Sequence, residues 1–304
     1  MCSRIISLAA CALLVSFTVQ SQVVVKGAVA ATAVRTSETQ TRERVTKEDF
    51  TPVDNAGYEC VFQWDVVATG KDGRKVPEVY ACMLQFGQNG ARFTDYRTFQ
   101  ADSAVFAGGD GVGRRALSSA RGNAEFQFTG DVIQGYPSGK ITYTDIVTPD
   151  YLEYTEPLGD IEWQLEEATD TVCGYLCGTA TADYGGRRWT AWYAEEIPSA
   201  YGPWKFNGLP GLILKVCDSE GVHTMQAISI KRGEVPIVKP HNKKIVTTDR
   251  KNFVDSKNRF EKKPFDYISP ESISSMDVQP GGQVFINGVP IPKRLNGYTP
   301  VELK

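Results

Sequence analysis

Residues 58–66 read YECVFQWDV and residues 80–86 read YACMLQF. In the first run Tyr58, Cys60, Phe62, Trp64 and Val66 fall on one side, with polar Glu59, Gln63 and Asp65 between them. Tyr80, Cys82, Leu84 and Phe86 repeat the spacing in the second. A period of two is that of a strand with one buried face. Lys71-Asp72-Gly73-Arg74 is a turn signal between the runs, and Gln88-Asn89-Gly90 turns the chain again into residues 91–94. The stretch predicts a β-meander. Cys60 and Cys82 share its aromatic face, so a bridge between neighbouring strands is sterically conceivable. A turn centred on residues 72–73 sets Cys60 opposite residue 85, however, and two buried free thiols fit equally well.

The pattern continues downstream. Residues 126–128 and 140–145 are short strands, and Ile161, Trp163 and Leu165 alternate with acidic and polar neighbours. Cys173, Tyr175 and Cys177 share one face of the next strand. Cysteines four apart in an extended chain are about 13 Å from each other, too far to bridge, and the spacing is not a thioredoxin-type pair. With Cys217 these make five cysteines beyond the apolar N-terminus, an odd number. Residues 97–124 carry no clear period. Their Gly108-to-Arg115 cluster lacks the lysine and framing of a phosphate loop, so it reads as an ordinary loop. Further on, Thr248 or Asp249 caps a predicted helix ending near Lys262. Residues 264–304 are Pro- and Gly-rich, with a hairpin signal at 284–289.

The first 21 residues read as an export signal, with Arg4 ahead of an apolar run to Val19 and small residues before Gln22; Ala28 to Ala30 offers a second cleavage site. Cys11 fits a lipobox by spacing, but lies inside the apolar run. Without that segment 32 basic residues face 36 acidic ones, a net charge of −4 that argues against a general nucleic-acid binder. No other stretch is long and apolar enough to cross a bilayer. The charge is placed in blocks. Residues 145–170 hold nine acidic residues and no Lys or Arg, and residues 231–263 hold eleven basic and four acidic ones. Such blocks read as solvated faces that attract each other within the fold, or as a docking surface. The expected organisation is a signal at 1–21, a leader at 22–54, a β-rich core at 55–235 and a basic helix with Pro/Gly-rich extension at 236–304.

The densest stretch runs from Gly185 to Gly221. Trp189, Ala191 and Tyr193 point to one side of a strand, and Arg188, Thr190 and Trp192 to the other. Pro198 ends it. Gly202-Pro203-Trp204-Lys205-Phe206 leads into Gly208-Leu209-Pro210-Gly211, where Pro210 and Gly211 suit a type II turn with a positive φ at Gly211. Residues 212–217 and 222–230 then form a hairpin. The hexapeptide Gly-Leu-Pro-Gly-Leu-Ile at 208–213 resembles the signature of the GLPGLI family of Bacteroidota. The resemblance extends to Met83 to Gly87, Asp102-Ser103, Tyr154, Glu156-Pro157, Gly186-Arg187, Ala191-Trp192-Tyr193, Asp218 and the Pro300 to Leu303 ending. It implies an exported protein, periplasmic or associated with the outer membrane, with no established activity. The insert near 108–123 departs from it.

Two roles compete for the aromatic stretch. Arg187, Arg188, Trp189, Trp192, Tyr193, Trp204 and Lys205 form a surface able to hold an apolar or glycan ligand by stacking and charge, or the aromatic residues are simply core. Catalytic signals are sparse. His223 stands near Asp218 and Glu220, without metal-ligand spacing. A G-x-S-x-G elbow is absent, and adjacent Glu166 and Glu167 face opposite ways on a strand. The sequence therefore points to no cofactor, no metal and no catalytic residue. A non-catalytic binding or envelope-assembly module leads, ahead of an accessory partner of an outer-membrane transporter, and of a hydrolase with an acid pair from separate strands. The fold expectation is mainly β: a curved antiparallel sheet or partly open barrel, preferably a half-barrel like that of lipoprotein carriers, with one C-terminal helix.

Overall fold

The computed structural model describes residues 44–70, 72–108, 112–113, 127–241, 245–264, 268–278, 282, 284–291 and 298–303. The expected export signal, the expected leader up to residue 43, Lys243 and Lys244, and most of the glycine-rich insert lie outside them. In chain order the strands are β1 (Arg44–Val45), β2 (Phe50–Asp54), β3 (Tyr58–Thr69), β4 (Lys75–Phe86), β5 (Ala91–Asp95), β6 (Val112–Gly113), β7 (Asp131–Gln134), β8 (Lys140–Val147), β9 (Asp150–Pro157) and β10 (Gln164–Val172). They continue as β11 (Tyr175–Tyr184), β12 (Arg187–Ala194), β13 (Leu212–Asp218), β14 (His223–Arg232), β15 (Ile237–Pro240), β16 (Ile245–Thr247), β17 (Met276–Val278), β18 (Val284–Ile286) and β19 (Val289–Pro290). Two helices are described, α1 (Tyr96–Ala107) and α2 (Arg250–Lys262).

The fold is mainly β. One twelve-stranded sheet runs β10-β11-β12-β13-β14-β3-β4-β5-β7-β8-β9-β16, antiparallel except for the parallel pair β9/β16 at one edge. The edge strands β10 and β16 do not pair with each other, so the sheet is open rather than closed into a barrel. It nevertheless curls: the Tyr184 hydroxyl, on the strand next to one edge, donates to the Glu156 carboxylate at 3.1 Å, on the strand next to the other edge. The interior of the curl is one continuous core, with Phe62, Trp64, Tyr80, Phe93, Tyr143, Tyr154, Trp189 and Phe206 among its members. At the open edge β10 is exposed along nearly its whole length, and Glu166, Glu167 and Asp170 set charges there that discourage edge-to-edge pairing.

The meander is where the sequence placed it. Cys60 pairs with Leu84 and Phe62 with Cys82, one residue from the expected register, and both thiols are buried and unpaired. Cys173 is not on a strand face: it forms the β10–β11 turn with Gly174, at φ of 53° and 84°, the two left-handed residues a tight hairpin needs. The capped C-terminal helix is present, with Asp249 accepting from the Asn252 amide at 2.8 Å. The second helix, α1, was not expected. Asp95 caps it through the amides of Arg97 and Thr98 at 3.0 and 3.2 Å, and its buried face includes Asp102, which pairs with Arg92 at 2.7 Å. A charged residue on the buried stripe masks the helical period. Helix α1 covers the outer face of the sheet near β4 and β5, beside the β2/β15 ladder. Helix α2 packs on the inner side, where Phe253 lies 5.0 Å from Tyr143 and 4.8 Å from Tyr154, centroid to centroid.

Candidate functional site

The inner face of the curl holds a second tenant, residues 298–303. Arg187, at the start of β12, donates from Nε to the Val301 carbonyl at 3.0 Å and from Nη2 to the Pro300 carbonyl at 2.9 Å. Its remaining arm binds Asp218 at 2.9 Å, which fixes the guanidinium plane. Asp218 also accepts the His223 amide at 2.8 Å and so ties the ends of β13 and β14 together. The Trp64 indole N–H donates to His223 Nδ1 at 3.3 Å. That bond fixes the tautomer: Nε2 carries the proton and donates to the Pro300 carbonyl at 3.1 Å. Burial, reinforced by the Arg187 guanidinium, pushes His223 down to about 4, so it works as a neutral donor. Leu303 closes the set with its amide on the Gly185 carbonyl at 2.7 Å. Gly185 has φ of +60°, and a Cβ there would stand 3.1 Å from the Glu302 side chain.

The Glu302 carboxylate is held by two cations. Lys205 Nζ contacts it directly, lies 2.8 Å from Glu156 and donates to the Tyr154 hydroxyl at 2.9 Å. Arg250 reaches it at 3.2 Å and stands 3.6 Å from Glu156. Lys205 is fully buried under the rings of Trp204, Tyr184 and Tyr154, at 4.7, 5.2 and 5.5 Å from their centroids. Burial and the two carboxylates push the Tyr154 and Tyr184 phenols far up, so both stay protonated.

A strained loop delivers the lysine. Trp204 sits at φ of 52°, a left-handed conformation that costs a bulky residue about 1–3 kcal/mol. Gln134 of β7 clamps the loop by donating to the carbonyls of Gly202 and Trp204 at 3.0 and 2.8 Å, and Asn207 donates to the Lys205 carbonyl at 2.8 Å. The Trp163 indole holds Asn207 in turn, at 2.8 Å. The Gly208-to-Gly211 segment is not the type II turn expected. Gly208 carries the left-handed φ, +95°, and Gly211 is required for space, since a Cβ there would lie 2.3 Å from the Ala194 carbonyl oxygen. Leu209, between them, is core.

Two clefts flank the segment. One, a small recess of about 40 Å³, is lined by Trp64, Tyr80, Phe128, Tyr143, Asp145 and Tyr298. The other, about 30 Å³, lies among Trp204, Phe253, Lys257, Tyr298 and Glu302. The Trp204 indole N–H, deeply buried, has no hydrogen-bond partner among the described residues.

Of the residues the sequence singled out, Arg187, Trp189, Tyr193, Trp204 and Lys205 are buried on the inner side. They offer no exposed platform for stacking. Arg188 and Trp192 are on the outer face, Arg188 exposed beside Asp183 and Trp192 partly covered by Lys215 at 4.5 Å. Glu156, Glu302, Arg250, Tyr154, Tyr184 and Asp218 complete the inner site, and no motif announced their roles. Both ring nitrogens of His223 are engaged, and no group of three or more potential metal ligands occurs among the described residues. The charge blocks meet inside the fold: Lys239 on Glu153 at 2.8 Å, Arg250 beside Glu156, and Lys257 on Asp145 at 2.9 Å.

A family model described as a protein of unknown function (Porph_ging) matches residues 185–215, which include Gly185, Arg187 and Lys205. No curated protein matches. Among solved structures, PNGF-II in a P21 crystal form is similar at 14% identity and a TM-score of 0.45, and in a C2 form at 14% and 0.43. Each alignment covers 66% of this chain and 32% of the other, so the match spans about a third of that protein's length.

Proposed function

We propose that the chain is an exported envelope protein of the GLPGLI type, acting as a non-catalytic binding or assembly module whose recognition surface is the inner face of the curled sheet. One observation carries this reading: buried Arg187, His223 and Lys205, with partly exposed Arg250, converge on a short extended segment and hold its carbonyls and carboxylate. Burying three such donors around one strip of chain is costly unless each is matched, and convergent polar groups are a mark of binding sites. The apolar N-terminal run supports export.

The test is native mass spectrometry of the protein purified from its own envelope, with a denaturing run alongside. The expected result is a chain beginning near Gln22 that carries excess mass lost on denaturation. A bare chain at its calculated mass would overturn the binding reading, and a chain retaining Met1 to Ser21 would overturn export.

A further inference from the structure

We infer that the inner cleft is a receptor for an extended peptide carrying a glutamate, and that residues 298–303 occupy it as the chain's own surrogate. This rests on the binding reading above and names its ligand class. The contacts read main chain and one carboxylate. Arg187 and His223 take the carbonyls at 300 and 301, Gly185 takes the amide at 303, and Lys205 with Arg250 takes Glu302. Leu303, by contrast, is largely exposed. Main-chain hydrogen bonds with one charge-selective pocket are how receptors grip extended peptides.

The receptor groups are held by partners that do not belong to the segment. Asp218 holds Arg187, Trp64 orients His223, Tyr154 and Glu156 hold Lys205, and Glu156 stands beside Arg250. Without Glu302 the pocket would keep two cations against the single carboxylate of Glu156, which selects for an anion. The buried Trp204 N–H beside the segment has no hydrogen-bond partner among the described residues, which leaves a donor for a ligand's acceptor. A tethered occupant acts at an effective concentration of about millimolar, so a second peptide binds well only when the tether is cut or the competitor is in excess.

The experiment places a protease site between Ile291 and Tyr298 in the full chain, cuts it, and adds a labelled synthetic peptide, Gly-Tyr-Thr-Pro-Val-Glu-Leu-Lys. The cut protein is expected to exchange its segment for the label, and the intact chain to retain at least tenfold less. The peptide with Gln in place of the glutamate should bind at least tenfold more weakly. Exchange blind to that change, or none at all, overturns the inference. A measurement on the intact, unmodified chain guards against loss of fold after cutting: hydrogen exchange at the Leu303 amide should quicken with excess peptide, and an unchanged rate counts against the proposal. If the peptide is refused while protein from the envelope carries another bound mass, the ligand class is wrong and the binding reading stands. A bare protein that refuses the peptide removes both.

Discussion

The meander β3–β5 and the C-terminal third are built by different physics around the same core. In β3 and β4 twelve consecutive residue pairs stay in register from Tyr58 opposite Phe86 to Thr69 opposite Lys75, and what they bury inward is almost entirely apolar. Residues 237–303 contribute short strands and one helix, fastened by ion pairs: buried Lys257 to Asp145 and Glu261, buried Lys205 to Glu302, and partly exposed Lys239 to Glu153 and Arg250 to Glu302. Apolar burial stabilises in proportion to area and tolerates imprecise fit. Buried ion pairs stabilise little in sum but penalise any wrong partner heavily. The meander supplies stability, and the charged third supplies the specificity with which it docks.

The largest expected effects lie in the charged third. Lys205→Met leaves Glu156 and Glu302 facing each other with Arg250 alone between them, and Lys257→Met strands Asp145 and Glu261. Each should cost about 3–5 kcal/mol in urea unfolding. Adding Glu302→Gln to Lys205→Met should recover part of the loss, because the stranded charge goes with it. If either lysine variant unfolds at the wild-type midpoint, buried charge does not hold this region and the contrast collapses. In the meander, Phe62→Ala should cost a similar ~3–5 kcal/mol by opening a cavity beside Phe93. That loss should be the same with or without Glu302→Gln, whereas the Lys205→Met loss should not.

That division also sets what could be read from residue order. Alternation in 58–66 and 80–86 fixed the strands and their pairing to within one residue, because one face of each is buried and a slip would turn every side chain over. The Asp249 cap and the Asn287-Gly288 turn, at φ of 53° and 79°, were local signals of the same kind. The inner site was not legible in this way. Glu156, Arg250 and Glu302 are separated by 94 and 52 residues, and nothing local says which acidic residue a buried lysine will choose. Only the blocks of opposite charge hinted at it. Trp204 was open to either reading, surface or core, but Lys205 stood out only as part of a surface: a lysine in an aromatic stretch suggests exposure, and the φ of 52° at Trp204 and the Gln134 clamp go with its turning inward. Helix α1 was hidden by the buried Asp102, whose partner Arg92 lies on the preceding strand.

A smaller effect of about 3 kcal/mol sharpens the contrast through pH. His223 titrates near 4 when folded and near 6.5 when unfolded, so between those values the unfolded chain binds the extra proton. Its contribution is complete above pH 6.5 and is lost as pH falls towards 4. Asp95 works the other way: burial raises it from 3.8 to about 6, and its contribution fades as pH rises through that range. The two oppose each other in the wild type, so stability against pH alone hides both. The difference between wild type and His223→Gln cancels Asp95. It should shrink by about 3 kcal/mol between pH 6.5 and pH 4; a constant difference would mean that His223 is not held neutral by the site.

The smallest effect isolates burial itself, on one helix. Lys251 and Lys257 both belong to the basic block and to α2, and each has a carboxylate near 3 Å: Asp255 at 3.2 Å for the first, Asp145 and Glu261 at 2.9 Å for the second. Lys251 is 85% exposed and Lys257 only 4%. An exposed pair at this spacing is worth about 0.3–0.5 kcal/mol, and less with the lysine on the N-terminal side. Lys251 also stands in the first turn of α2, where the helix dipole disfavours a cation, and alanine has the higher helix propensity. These terms cancel, so Lys251→Ala should leave the unfolding midpoint within about 0.3 kcal/mol of wild type. A loss above about 1 kcal/mol would mean that the charge block matters as a block, through its long-range field, and not through the few lysines and arginines that the fold has taken inside.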